Sequence, residues 1–392
     1  MNKNILKTGV QEFIKNYWDT DIVSVLLKKQ QFEGVSQKEL AEQLEAKKKC
    51  QNKLPSWFNA EQIYYPNKLN IEQTSSETTA QYKANLVSGK SLLDITGGFG
   101  IDSHFFAQKL LQIIHCELDK NLSEIASYNA QILNQKNIVF KAQNGLGFLE
   151  NFNKNFDWIY ADPSRRDNAK GKVFKLADCI PNIPKNLDLL FEHTDSILLK
   201  VSPLLDLTLG IKELKWVTEI HVIAVQNEVK EVLFLLRKDA EENIKIKTVN
   251  LKKDGEERFE FLKKDEKEAN VEYDLPQKYL YEPNTAVLKS GGFKSIGSAF
   301  DLNKLHEHSH LYTSDTLINF PGRVFKIHSV VPYSKKAILK LAIKKANITT
   351  RNFPESVATI RRKLKIKDGG DDYLFFTTNL NNERVVVHCK KT

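Results

Sequence analysis

Cysteine is scarce in this 392-residue sequence, with four in all. Cys50, Cys116, Cys179 and Cys389 lie far apart and form no Cys-x-x-Cys pair, which argues against a disulfide framework and against a thiolate zinc centre. Long apolar runs are missing too, since no window approaches the ~20 apolar residues that a membrane-crossing helix needs. The opening residues, MNKNILKTGVQEF, hold no apolar stretch ending in a small-residue cleavage site. The expected location is therefore a reducing cytoplasm, with no membrane partner. What is present is a globular composition, 41% hydrophobic and 27% charged, enough for packed cores. At ~150 residues per domain the length allows two or three of them.

Residues 1–85 read as a helical domain. FIKNYWDTDIVSVLLKK and SQKELAEQLEAKKK space apolar residues three and four apart, and Ser36 stands where it can cap the second helix. Residues 86–240 change pattern to seven short apolar runs alternating with amphipathic stretches: SLLDI (91–95), QIIHCE (112–117), NIVFKA (137–142), FDWIYAD (156–162), DSILLKV (195–201), TEIHVIAV (218–225) and EVLFLLR (231–237). This spacing predicts βαβ units and a mostly parallel sheet covered by helices. Only QNEVK separates the last two runs, so they are expected to pair antiparallel at the sheet edge. Residues 241–270 alternate apolar and charged residues around Asp254-Gly255, predicting an exposed hairpin that serves as a linker. A short mixed α/β module is expected over 271–321, and strands with basic helices over 322–392.

Charge is uneven along the chain. From Gly322 to Thr392 there are 16 Lys and Arg against 5 Asp and Glu, which leaves 42 against 44 for the other 321 residues. Such a bias is the footprint of phosphate-backbone binding, although a solvated cationic face or an acidic partner also fits. Within it, Arg351, Arg361, Arg362, Lys363, Lys365 and Lys367 are the candidate contacts. His306, His308 and His310 have no accompanying Cys/His cluster and are assigned a structural or solvated role, not a metal site.

The strongest local signal runs from Leu92 to Asp102, LLDITGGFGID, a buried strand turning through glycines into a helix. Glycines allow the backbone to approach a ligand closely, and the helix start offers unpaired N–H groups. A dinucleotide fingerprint needs Gly-x-Gly-x-x-Gly, and after Gly98 and Gly100 the third position is Ser103, which disfavours a nicotinamide cofactor. Glu117 ends the second run, Asn144 follows the third, and Asp162-Pro163-Ser164-Arg165-Arg166 ends the fourth. Four signals at the carboxyl ends of successive strands converge on one crevice of an open α/β sheet. Taken singly, each also reads as a tight turn, a cap, a turn residue or a strand terminator.

An acidic strand end with glycines four and six positions later resembles motif I of the class I S-adenosylmethionine-dependent methyltransferases. The resemblance implies that Asp94, Thr96, Gly98, Gly100 and Asp102 lie at the methyl donor, that Glu117 accepts its ribose hydroxyls, and that Asn144 meets the adenine amino group. It also implies that the helix start at Thr74 and Ser76 covers the donor's carboxylate, beside its reading as a capping box. Asp162 to Arg166 stand where amino-group methyltransferases carry D/N/S-P-P-x. Methyl transfer is an in-line displacement, so the protein has mainly to position the reactants. Asp162 and the Pro163 carbonyl are the groups expected to orient an amine's hydrogens and stabilise its growing positive charge. Two positions depart from the pattern: Thr96 stands where many members have glycine, and Arg165 stands where an aromatic stacks on the target base. An arginine plane can stack on a base, grip a phosphate or pin a loop.

Taken together, LPSWF, EQTSSE, DITGGFGID, ADPSRR and RNFPESVATIRRKLKIKDGGDDYLF resemble, over nearly the full chain, a bacterial family of class I methyltransferases with a THUMP-like C-terminal domain. A more distant similarity connects motif I and DPSRR to the RNA cap guanine-N2 methyltransferases. The implied fold is α/β: a Rossmann-like sheet of seven strands with the last pair antiparallel, an N-terminal helical domain and small α+β C-terminal domains, the first of them ferredoxin-like. The implied activity is methylation of structured RNA, tRNA or rRNA, at a base nitrogen, with S-adenosyl-L-methionine as donor. Two other readings stay open: a non-catalytic RNA-binding protein on a methyltransferase fold, and a methyltransferase acting on protein or a small molecule.

Overall fold

A computed structural model describes residues 1–165, 175–241 and 243–392. The chain divides into two compact units, Met1–Val217 with Phe234–Ala240, and Thr218–Leu233 with Glu241–Thr392. No helix among the described residues is long and apolar enough to cross a membrane.

The first unit opens with short helices around α1 (Gln37–Lys53), which starts at a capping box between Ser36 and Glu39 and buries Leu40, Leu44 and Cys50. α2 (Glu77–Ala84) leads into the sheet. There follow β1 (Ser91–Asp94), α3 (Ile101–Ala107), β2 (Gln112–Cys116), α4 (Lys120–Ile132), β3 (Ile138–Lys141), β4 (Trp158–Ala161) and β5 (Ser196–Val201). All five strands pair in parallel, in the order β5-β4-β1-β2-β3. Leu92, Leu93, Ile159, Leu198 and Leu199 are fully buried, as expected for strands covered on both faces. The chain winds outward from β1 to β3 and then returns to lay β4 on the other side of β1. That reversal opens a crevice at the carboxyl ends of β1 and β4.

In the second unit, β6 (Val217–Val225) from Thr218 onward and β7 (Glu228–Arg237) up to Leu233 are joined by Gln226 and Asn227, at φ 52° and 64°. This pair of left-handed residues makes the tight hairpin turn that suits strand twist, so β6 and β7 run antiparallel as predicted. The stretch 241–270, read as an exposed hairpin and linker, holds two strands. β8 (Lys245–Lys252) pairs in parallel with β6, from Lys245 opposite Glu219 to Leu251 opposite Val225, and β9 (Gly255–Leu262) pairs antiparallel with β8. The hairpin adds two strands to the seven expected, because its alternation buries Ile246 and Val249 on a sheet edge.

A second sheet holds β10 (Tyr279–Pro283), β11 (Gly322–Pro332), β12 (Lys345–Arg351), β13 (Lys367–Thr378) and β14 (Arg384–Lys391), with α5 (Val357–Leu364) crossing from β12 to its parallel neighbour β13. The modules read as 271–321 and 322–392 share this sheet, since β10 pairs antiparallel with β11 and Leu280 packs with Phe325 and Phe375 in one core. At the join a Cβ on Gly322 would lie 2.2 Å from the Glu282 carbonyl oxygen. Gly322→Ala must therefore part β10 from β11, and is expected to destabilise this unit by about 2 kcal/mol or more. A urea titration checks this; an unshifted midpoint would show that the strands yield without loss.

Candidate active site

The glycine loop is built on a buried histidine. Gly97 donates from its N–H to the Cys116 carbonyl at 2.8 Å, and a Cβ there would meet His115 Nε2 at 2.2 Å, so only glycine fits. Gly98 (φ 55°) and Gly100 (φ 82°) take the left-handed turn that starts α3. A Cβ on Gly98 would meet nothing closer than 3.9 Å, so space above the loop is open. The Gly98 N–H donates to Glu117 Oε2 at 2.8 Å, while Glu117 Oε1 accepts from the Asp119 N–H at 2.7 Å. Asp94 is buried; its oxygens accept from the Thr96 N–H at 3.0 Å and the Ser103 hydroxyl at 2.7 Å. Burial pushes its carboxyl up to about 7 against these two bonds, with Asp102 and Asp162 adding to the rise.

Asp102, in the first turn of α3, anchors a network that sequence reading missed. Its Oδ2 accepts from the Ser75 hydroxyl at 2.9 Å and the Tyr160 hydroxyl at 2.7 Å, and its Oδ1 lies 3.1 Å from the ammonium of Lys83. Lys83, fully buried on α2, also donates to Ser75 Oγ at 2.8 Å. Burial alone would raise the Asp102 carboxyl, but Lys83, Lys200 and the two hydroxyls outweigh it and hold it below its ordinary range. At the end of β4 the Asp162 N–H donates to Thr96 Oγ1 at 2.7 Å, and the Asp162 carboxylate pairs with Lys200 on β5. Pro163 is buried and Ser164 exposed. The backbone of Arg165 pairs with Cys179, and Arg166 lies outside the described residues. The only hint of Lys83 and Lys200 in the sequence was a lysine inside an otherwise apolar helix face or strand.

Other residues expected at the donor also make local bonds. Ser76 caps α2 by accepting from the Thr79 N–H at 3.2 Å, and Thr74 ends the preceding helix, so the hydroxyl reaching Asp102 is that of Ser75. Asn144 is brought beside β1 because Gly145 packs against Ile95, where a Cβ would lie 2.6 Å from the backbone. Its Oδ1 accepts from the N–H groups of Leu146 and Gly147 at 2.9 and 3.2 Å.

Among the basic residues, Arg351 pairs at 2.8 Å with Glu282, a buried carboxylate that also holds Arg323. Arg361 pairs with Asp368 and donates to the Ala346 carbonyl, and Lys363 pairs with Glu355 at 2.7 Å. Arg362, Lys365 and Lys367 are exposed at the end of α5 and beyond. His306 bonds Asn382 at 3.0 Å, His310 stacks on Phe293 at 3.6 Å and His308 is exposed, all in a turn.

The parallel sheet, the glycine loop and the acidic strand ends define a class I methyltransferase-type protein. The chain is 32% identical to a "putative methyltransferase" from Porphyromonas gingivalis W83, whose crystal structure matches 100% of this chain and 98% of that one with a TM-score of 0.90. The chain belongs to that family, class I methyltransferases with a THUMP-like C-terminal domain. Residues 279–321 match a ferredoxin-like domain and 322–391 a THUMP domain-like model. Over 41% of the chain it is also 12% identical to an rRNA methylase from Streptococcus thermophilus, covering 94% of that protein at a TM-score of 0.30. No curated protein matches it.

Two of the histidines lowered by burial, His104 and His115, flank the glycine loop and bear on the acid side of stability. Burial pushes His104 and His115 down to about 4 from 6.5, so each contributes stability that is full above the unfolded value and lost as pH falls through about 4. Asp94, raised to about 7 from 3.8, contributes stability that is full below 3.8 and lost as pH rises through about 7. His104→Phe is expected to flatten the acid limb of the melting temperature profile, and Asp94→Asn the neutral-to-alkaline limb. Thermal scans across this pH range check both.

Proposed function

We propose that the protein methylates structured RNA, tRNA or rRNA, with S-adenosyl-L-methionine as donor, in the crevice at the carboxyl ends of β1, β2 and β4. The observation that carries this reading is the joining of the Gly98 amide to Glu117 beside an open glycine cradle. The residues suit the donor's chemistry. Glu117 keeps free lone pairs on both oxygens after accepting one amide each, which suits two ribose hydroxyls. The Asn144 oxygen is spent on its helix, so its NH₂ would donate to a ring nitrogen of adenine and not accept from the amino group. The donor supplies an electrophilic methyl group; the chain's part is to orient the acceptor and exclude water. The THUMP-like domain would hold the RNA through Arg362, Lys365 and Lys367, while Arg351, Arg361 and Lys363 are engaged in ion pairs with Glu282, Asp368 and Glu355. The cytoplasm is the natural compartment for this activity.

Isothermal titration with S-adenosylmethionine and S-adenosylhomocysteine is the direct test. Micromolar binding is expected, weakened at least ~10-fold by Glu117→Ala, a loss of about 1.4 kcal/mol. No binding by the folded protein overturns the reading. For RNA, the triple variant Arg362→Glu, Lys365→Glu, Lys367→Glu is preferable to truncation at 322, which would strip β11 from β10. It is expected to lower the slope of log K against log salt by about 2 to 3, with S-adenosylhomocysteine affinity unchanged. An unchanged slope would remove these three residues from the RNA contact.

A further inference from the structure

We propose that Lys200 is a specificity-determining residue, selecting an acceptor that sheds a proton and attacks as an anion, a ribose hydroxyl or a ring imide N–H of RNA, over a neutral exocyclic amine. This rests on the methyl-transfer reading above. Lys200 lies near the carboxyl end of β5 in an apolar run and is only 11% exposed, with its ammonium on Asp162 Oδ2. A lysine removed from water in this way needs a partner, and the carboxylate at the acceptor position is one. The position of that carboxylate is fixed from its backbone side, where the Asp162 N–H meets Thr96 Oγ1. Its neighbour Asp102 is likewise matched by a cation, Lys83.

The sign of the local charge decides which acceptor is favoured. A neutral amine gains positive charge as it is methylated, and a lone carboxylate would stabilise it. A carboxylate already bridged by an ammonium does so far less, and the ammonium itself opposes the new cation. An acceptor X–H needs the opposite field. Its X–H bond breaks and the proton passes to the Asp162 carboxylate, through Oδ1 as Oδ2 accepts from Lys200, and from there to water. The pair left on X forms the bond to the methyl carbon, whose bond to sulfur breaks with its electrons remaining on sulfur. Lys200 stabilises the negative charge on X until that bond forms.

The test is nucleoside mass spectrometry of RNA methylated with isotope-labelled donor. A ribose-methylated or a ring-nitrogen-methylated nucleoside is expected, and digestion distinguishes the two. An exocyclic N-methyl product overturns the proposal while leaving methyl transfer intact. Lys200→Met is expected to lower kcat about 10²-fold, with the donor KM and S-adenosylhomocysteine affinity by calorimetry unchanged, and Lys200→Arg is expected to recover part of the loss. Full activity in Lys200→Met overturns the role of Lys200. If the wild type neither binds S-adenosylhomocysteine nor methylates RNA, the methyltransferase reading fails and this proposal with it.

Discussion

A carboxylate taken out of water is tolerated only where cations and hydroxyls replace its lost hydration, and Asp102 imposes that requirement on three separate segments. Ser75 comes from the turn before α2, Lys83 from α2 itself and Tyr160 from β4. Because Asp102 opens α3 directly after the glycine loop, the same contacts place that loop relative to the helices that precede the sheet. The helical residues before β1 are thus part of the cleft's construction. Removing one partner would leave a buried charge without compensation, a far larger penalty than losing a surface ion pair.

The crevice is shaped by close approaches as much as by polar bonds. Gly97 lies on the His115 ring and Gly145 on Ile95, so the ends of β1, β2 and β3 meet at backbone contact distance. Glu117 is then near enough to take the Gly98 amide, and Asn144 stands beside them. These contacts leave little freedom to the loops.

The strand layout was largely legible in advance because buried parallel strands read as short continuous apolar runs. Asp94, Glu117 and Asp162 were legible as well, since a polar residue closing such a run can only lie at a strand's carboxyl end. Lys83, Lys200, Ser75 and Tyr160 were not, because their meaning comes from partners far along the chain; Tyr160 reaches Asp102 across 58 positions. The same limit applies to the basic tail. Counting charge there could not separate Arg351 and Arg361, which serve Glu282 and Asp368, from Arg362 and Lys367, which face solvent. Alternation in 241–270 is a local signal and carries no trace of the parallel pairing of β8 with β6, which is a non-local choice.

That hairpin also shields a sheet edge. β6 carries Ile220, Val222 and Ile223, all fully buried, a stretch with the β-propensity and apolar content that recruit other chains when left unpaired. β8 covers its open side, and β9 closes the sheet with Glu256, Glu257, Arg258 and Glu260, a row of charges that discourages strand addition from outside. A fragment ended at residue 240 would lose this guard, so the stretch that reads as a spacer also closes an edge.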